Sequence, residues 1–380
     1  MNTRFTRRTV LNGIGSSAVL AAAAGAGSMA RAPMSLAAAS ADWQAGASDE
    51  WRRVLAEARK EGQVTVAGFP ALARTMPAAF KRDTGIELKF FGGRPSDLSS
   101  RFEAEALADK MTLDIMLGGG RELVKMKPGG YLNPVRPQLV LPGVGPENYR
   151  DGKLKFMDDD GQYLLQGAEW VFGWLLVNKD VVDPGKIKVW KDVLKPEFRG
   201  KMISHDPRSP GPGQGATNWL YNAHGIEFVK RFFLGQQAKF TTSNRQVVEE
   251  VVRGTRPIAF ASIQFFVEKF RREGIKNLAV VLPEDAPGYV TGGFSVLKQA
   301  KNVPHPNAAQ IFINWYVSRP GQEVYERTML ATSRRKDVKT GIPSYLVPRP
   351  GVEYFEAYSE ARYLGRHVVV KAITDALGKR

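Results

Sequence analysis

Glycine-rich segments follow three strands predicted in the first part of the chain. They are the first candidates for a ligand-binding site. They are residues 68–70, 92–96 and 118–120, and the second segment contains Arg94. Glycine lets a backbone N–H approach a bound group closely, and the N-terminus of a following helix favours an anion. A guanidinium adds charge-assisted hydrogen bonds to the same kind of group. The pattern predicts a site for a small anion.

Candidate ligand contacts lie in these loops and in segments further along the chain. A lone glycine-rich loop simply ends a strand, but three that follow parallel strands meet at one edge of a sheet, where ligands bind in doubly wound folds. The predicted contacts are Phe69, Arg94, Ser96, Gly119, Gly120, Glu169, Trp170, Asp206, Arg208, Ser209, Gln214, Gln264 and Thr291. With Phe265 as a further apolar wall, we predict an organic anion, a carboxylate or a phosphonate, that pairs with Arg94. A cation held by Glu169 and Asp206 is the alternative.

No catalytic constellation assembles from the sequence, so we predict a protein that is not an enzyme. Residues 211–215 are glycine-rich but lack the G-x-G-x-x-G spacing of a dinucleotide loop. The acidic run 158–160 lacks the alternating spacing of a calcium loop. The chain has no cysteine and four scattered histidines, so we predict no disulfide, no metal site and no cofactor. An exported lyase or transferase is the alternative.

Helical and strand patterns alternate along the chain, which predicts an α/β fold. The first helix is Asp49–Glu61 with Gly62 as its stop, and it leads into a βαβ unit. Later strands and helices repeat the alternation and indicate a second α/β lobe. The predicted strands are 64–67, 86–91, 113–117, 201–205, 239–242, 258–261, 279–282 and 289–296. The tail from Gly351 is amphipathic and is predicted to be helical.

Residues 1–41 have the pattern of an export signal. They contain arginines and no acidic residue, and a Gly/Ala/Leu-rich stretch follows the pair Arg7-Arg8. That pair is similar to the twin-arginine export motif. The predicted cleavage site follows Ala41, with the site after Ala30 as a second candidate. We therefore expect a soluble periplasmic protein without a membrane anchor; an uncleaved anchor is the alternative.

The net charge of +16 does not predict nucleic-acid binding, because the basic residues are scattered among acidic ones. Residues 57–61 and 268–273 show this mixing, which is typical of solvated helix faces. A phosphate backbone is bound by clustered Lys and Arg. We therefore expect no nucleic-acid partner.

Several segments of the mature chain resemble the type II periplasmic solute-binding proteins of ABC importers. The similarity is to the branch with iron(III)-type and organophosphonate-type receptors, close to the extracellular solute-binding protein family 1. The segments that carry it are 51–62, 101–105 with 114–115, 177–180, 190–201, and 305–309 with 318–322. The last two are the most specific.

The resemblance implies a monomeric receptor with two lobes, crossing hinge strands and a small-molecule ligand in the cleft between them. Its partner would be the membrane permease of an ABC transporter, and a sensory receptor shares the same fold. The implied boundaries are 42–177 with 290–335 for lobe I, 178–289 with 336–380 for lobe II, and hinge strands near 175–179 and 289–296. Binding would drive hinge closure.

Iron-binding members of this branch use adjacent tyrosines after a strand that aligns with residues 258–261. This chain has Ile-Gln-Phe-Phe at 263–266 instead, without phenolate oxygens. A dedicated ferric site is therefore not expected, although a ferric-ion or ferric-complex receptor remains the alternative. His305 precedes a helix start at Pro306 and is predicted to be structural.

Overall fold

The computed structural model of the protein describes residues 43–339 and 341–378. The predicted signal peptide, residues 1–41, lies outside the described residues. The strands are β1 Gln63–Gly68, β2 Glu87–Gly92, β3 Ile115–Gly118, β4 Leu132–Asn133, β5 Lys155–Phe156, β6 Leu165–Gln166, β7 Ala168–Phe172, β8 Leu175–Asn178, β9 Met202–His205, β10 Lys239–Thr241, β11 Ile258–Phe260, β12 Leu278–Val281, β13 Tyr289–Thr291, β14 Val296–Ala300, β15 Thr332–Ser333 and β16 Phe355–Glu356. The helices are α1 Asp49–Glu61, α2 Met76–Thr84, α3 Pro95–Leu107, α4 Pro212–Lys230, α5 Asn244–Val252, α6 Gln264–Arg272, α7 Pro306–Val317, α8 Arg319–Met329 and α9 Glu360–Leu377.

Lobe I is built on a sheet with strand order β2-β1-β3-β14-β6-β5, and β4 pairs with β14. Strands β2, β1 and β3 run parallel, and β14 is antiparallel to β3. Side chains alternate along β1, so that Val66 joins the core that includes Trp51 of α1 and Phe312 of α7. Ala67 faces the opposite core with Phe102 of α3. Helices on both faces bury the sheet, as the predicted βαβ pattern requires.

Lobe II is built on a second sheet with strand order β10-β9-β11-β8-β12. Strands β10, β9 and β11 are parallel, whereas β8 is antiparallel to both β11 and β12. One face packs against Trp190, Phe232 and α4, and the other packs against Val247 of α5 and Val267 of α6. The carboxyl ends of β9 and β11 therefore open at the same edge of the sheet.

A third sheet, in the order β15-β7-β13-β16, joins the two lobes. Strands β7 and β13 are antiparallel, with Trp170 opposite Thr291. Next to these strands, Gly173 and Gly288 let two segments of the backbone pass closely. A β-carbon on Gly173, whose φ is +96°, would lie 2.7 Å from the Gly288 Cα. The predicted α/β class and two-lobed architecture are confirmed.

The crossing segments differ in detail from the prediction. Strand β8 belongs to the lobe II sheet, so the chain crosses through Ala168–Phe172 rather than 175–179. The strand predicted at 289–296 is broken into β13 and β14 by a turn at Gly293–Ser295. The turn forms because Gly293 has a φ of +47° and lies against the Trp170 ring, where a β-carbon would be only 2.7 Å from the indole.

The C-terminal tail also departs from the prediction of a helix from Gly351. Strand β16 pairs with β13, and α9 begins only at Glu360, where the Ser359 side chain caps it. None of the helices in the described residues combines the length and the apolar character needed to span a bilayer.

Candidate functional site

Aromatic side chains from both lobes meet where the loop after β1 faces the start of α6. The ring centroid of Phe69 lies 5.7 Å from that of Phe265 and 5.0 Å from that of Phe294. The ring centroids of Trp170 and Phe294 are 6.3 Å apart, and Trp170 is fully buried in the hinge. The structure therefore brings Phe69 and Phe265 together as an apolar contact between the lobes and places Trp170 behind it.

A polar contact between the lobes lies beside this aromatic contact. Gln264, the first residue of α6, donates from Nε2 to the carbonyl of Met329 at the end of α8, at 3.1 Å. Gln264 is 4% exposed. The predicted contact residue Gln264 thus lies at the junction of the lobes, where it pairs with lobe I.

The segment between β9 and α4 places predicted residues at the cleft edge of lobe II. Asp206 accepts from Arg208 through both carboxylate oxygens, each at 2.9 Å, and the guanidinium lies over the Phe240 ring. Gly213 lies in the first turn of α4, where a β-carbon would collide with the carbonyl of His205. Glycine at this position therefore lets the N-terminus of α4, which includes Gln214, press against the end of β9.

Two buried hydroxyls at this edge have no hydrogen-bond partner. Ser209 is 5% exposed and Ser262 is 2% exposed, and the Oγ atom of neither side chain is bonded. Ser209 follows β9 and Ser262 follows β11, and the pairing of Phe260 with Ser204 places the two loops side by side. A buried hydroxyl without a partner is costly. These hydroxyls lie near the N-termini of α4 and α6, which is a suitable environment for an anion.

Glu169, a predicted ligand contact, is committed to ion pairs in the hinge. Its side chain is 5% exposed and accepts from Arg150 at 2.5 Å and from Arg334 at 2.8 Å, with Lys155 at 3.9 Å. Burial alone raises the pKa of Glu169, but the charges of Arg334, Arg150 and Lys155 outweigh it and lower the pKa. The carboxylates of Glu169 and Asp206, proposed for a cationic ligand, both pair with arginine in this structure.

The loop after β3 is supported by a buried ion pair. Lys298 donates to the Gly119 carbonyl at 2.6 Å and lies 3.0 Å from Glu122, with both side chains at most 1% exposed. Burial lowers the pKa of Lys298, although the charge of Glu122 opposes the shift. Gly120 packs against Met157, whose side chain occupies the space that a β-carbon would need.

Arg94 and Ser96 are exposed at the start of α3. The Arg94 side chain is 86% exposed and pairs with Asp97 at 2.9 Å, and Ser96 also bonds Asp97. Thr291, in contrast, is buried in the hinge and accepts from the backbone N–H of Gly293. The pairing of Arg94 with an anion stays a prediction.

Three cleft residues escaped the sequence analysis. Ser262 lies just after β11. Selecting polar residues in loops that follow parallel strands, as was done after β9, would have found it. Gln166 is 1% exposed and neither amide atom has a partner, yet it lies in a two-residue strand without a clear pattern. Tyr358 lies in the tail, far along the chain from the loops that it meets.

Within residues 43–339 and 341–378, no group of three or more His, Cys, Asp or Glu side chains is arranged to hold a metal ion. His305 contacts Asp114 at 2.8 Å, and that carboxylate also accepts from the Thr65 backbone. His305 therefore helps to join α7 to the lobe I sheet. The start of α6 presents Gln264 and Phe265 where the resemblance implies tyrosines in ferric receptors.

Two α/β lobes, joined by crossing strands and meeting around a partly polar cleft, define the class of two-lobed binding proteins. The comparison with protein families agrees: residues 114–356 match the bacterial extracellular solute-binding protein family, and the chain belongs to it. This confirms the resemblance seen in the sequence. Members of this class bind small ligands and deliver them to ABC permeases.

Solved structures with low sequence identity share the fold. Iron-bound HitA from Pseudomonas aeruginosa is 18% identical, with a TM-score of 0.62 over 83% of this chain and 99% of that chain. AfuA from Actinobacillus pleuropneumoniae, with fructose-6-phosphate bound, is 14% identical, with a TM-score of 0.64 over 82% and 96%. The apo ferric ion-binding protein A from Pasteurella haemolytica is 16% identical, with a TM-score of 0.64 over 83% and 98%.

One curated relative, an uncharacterized protein from Haemophilus influenzae, is 28% identical over 141 residues. The match covers 36% of this chain and 39% of that protein. The chain thus spans about two fifths of the length of this relative.

Proposed function

We propose that this solute-binding protein is a periplasmic receptor for a small organic anion, a carboxylate or a phosphonate, which it delivers to an ABC permease. The observation that carries the proposal is the pair of buried hydroxyls, Ser209 and Ser262, which have no partner beside the N-termini of α4 and α6. An anion there would accept hydrogen bonds from both hydroxyls and from backbone N–H groups. The fructose-6-phosphate that AfuA binds is an anion of related charge, which supports this choice.

The aromatic contact between the lobes suits an anion with an organic body. Phe69 and Phe265 come from opposite lobes and provide apolar surface, and Phe265 follows Ser262 by three residues. Aromatic rings pack well against carbon skeletons, and a few placed polar groups fix the orientation of the ligand. Enclosure by both lobes would then link binding to hinge closure.

The same proposal includes export through a twin-arginine signal in residues 1–41. It also includes a monomeric state and a cleft without enzymatic activity. The predicted lobe boundaries belong to the proposal as well, with the one at 177 moved ahead of β8, because that strand pairs within the lobe II sheet. Hinge closure between the lobes is part of the same proposal. Glu169 and Asp206 are each paired with arginine, which supports a receptor over an enzyme that would use them as acid or base.

The proposal is tested by a thermal-shift screen of the purified protein against carboxylates, phosphonates, amino acids, polyamines and ferric complexes. An anion at about 100 times its dissociation constant stabilises the native state by about 2.7 kcal/mol. We expect a raised midpoint with an organic anion that is recovered chemically unchanged. A raised midpoint only with ferric complexes or polyamines would contradict the proposal, and consumption of the anion would indicate an enzyme.

Serine variants then locate the site with a matched control. Ser209→Ala and Ser262→Ala each remove one hydrogen bond to a charged group, about 1.5–3 kcal/mol, so we expect the affinity to fall by roughly tenfold or more. Ser96→Ala changes an exposed serine in the first turn of α3 in lobe I and should leave the affinity unchanged. The reverse pattern would move the anion to the loop that contains Arg94.

A further inference from the structure

The C-terminal segment of the chain, residues 355–378, contacts both lobes. Strand β16 pairs with β13 in the hinge sheet, and α9 starts four residues later. Helix α9 has 18 residues, which at about 1.5 Å per residue gives a rod of about 27 Å. We call this segment the strap.

The N-terminal end of the strap is bound to lobe I. Glu360 accepts from Lys127 Nζ at 2.6 and 2.8 Å and from the backbone N–H of Asp159 at 2.7 Å. Both side chains of the ion pair are at most 16% exposed. Tyr363 is buried in the lobe I core beside Met157. A second ion pair joins Glu356 of the strap to Lys155 of β5, and Tyr358 packs against the same core. The contact thus combines two ion pairs with aromatic packing.

The C-terminal end of the strap is bound to lobe II. Ile373 is fully buried, and Val369 and Leu377 pack against the same lobe II core, which α4 also lines. The carbonyl of Gly378 accepts from Arg208 at 3.2 Å. This contact is largely apolar and involves several side chains, so it is the stronger of the two attachments.

Just before its attachment to lobe I, the strap runs along the hinge sheet. Tyr358 interacts with the side chain of Thr291 in the hinge strand β13. Its hydroxyl faces the loop after β3, since a β-carbon on Gly119 would lie 3.3 Å from it. Tyr358 thus lies between hinge strand β13 and the loop after β3.

We propose that the strap holds the two lobes together in the absence of ligand, and that the cleft opens only when residues 358–363 release lobe I. A rigid helix attached to both lobes cannot follow a hinge rotation without losing one attachment. The attachment to lobe I depends more on ion pairs, which water can replace, than the apolar attachment to lobe II, and it is the one that gives way. The inference rests on the proposed function only in that a ligand must enter the cleft.

The test measures the distance between the lobes in the full chain without any ligand. Because the protein has no cysteine, spin labels can be placed at the exposed positions Lys110→Cys in lobe I and Lys276→Cys in lobe II. We expect one dominant short distance in the otherwise unchanged protein. Glu360→Gln should add a population longer by more than about 2 Å, and Tyr363→Ala should enlarge it.

Lys371→Gln is the matched control, because it removes an exposed ion pair to Asp375 on the same helix. It should leave the distance distribution unchanged. Cooperative thermal melting of each variant shows that the fold is kept. The inference is overturned if Glu360→Gln and Tyr363→Ala both keep the short distance, or if the control shifts as far as they do. A ligand screen without a hit would not alter these distances. The proposed function and the inference about the strap can therefore be contradicted independently.

Discussion

The replacement Glu169→Gln separates a structural role for this carboxylate from a role in ligand binding. The amide keeps the size of the side chain but removes its charge. Arg150, Arg334 and Lys155 would then share a hinge site without the carboxylate that now faces them at 2.5, 2.8 and 3.9 Å. We expect the variant to be destabilised even when no ligand is present.

The size of the effect follows from the burial of the cluster. Removing one partner of a buried ion pair costs about 3–5 kcal/mol, because the remaining charges stay buried. Unfolding entropy of about 2.1 cal/mol/K per residue gives roughly 0.7 kcal/mol/K for a chain of this size. The melting midpoint of Glu169→Gln should therefore fall by about 4–7 °C.

Thermal melting followed by circular dichroism, without added ligand, measures this shift. Glu323→Gln is the matched control, since it removes an exposed ion pair to Arg319 on α8. Such surface pairs contribute little, so the control should melt within about 1 °C of the unchanged protein. If Glu169→Gln also melts within that margin, the carboxylate does not hold the hinge, and a cationic ligand becomes the better explanation for it.

Two further predictions concern buried charges. Because the pKa of Glu169 is lower in the folded protein than in the unfolded chain, its stabilisation is present near neutral pH and is lost as the pH falls through the acid range. The difference in melting midpoint between the unchanged protein and Glu169→Gln should thus hold from about pH 7 to about pH 5 and shrink as the pH falls below about 4; a difference that does not shrink below about pH 4 would contradict the shift. Lys298→Met should lower the midpoint by about 4–7 °C because it leaves Glu122 buried alone. The double variant with Glu122→Met should recover at least half of the loss; no recovery would show that the bond from Lys298 to the Gly119 carbonyl is what matters.

The strands and helices of each lobe follow from local sequence patterns. Asp49–Glu61 was predicted to the residue because its apolar spacing, its acidic first turn and Gly62 are all local signals. Strands β1, β2 and β9 also lie within one or two residues of their predicted bounds. The strand predicted at 289–296 is wrong because Gly292 and Gly293 form a turn, in which Gly293 has a positive φ and lies against Trp170.

The candidate site was predicted less completely than the fold. The loops after β1 and β9 were selected because the carboxyl ends of parallel strands meet at one edge of a sheet, and their contact with a ligand stays a prediction. The sequence does not show which polar side chains in those loops are already bonded. Ser209 has no partner, whereas Asp206 pairs with Arg208.

The sequence by itself determined the α/β class, the two lobes and the family resemblance, because periodicity and turn residues act over a few neighbouring positions. Only the tertiary structure decided which charged residues pair with each other. Glu169 meets Arg334 across 165 positions of sequence, and Lys127 meets Glu360 across 233. An ion pair needs two side chains within a few ångströms, and the folding of the whole chain, rather than the local pattern around either residue, brings them together.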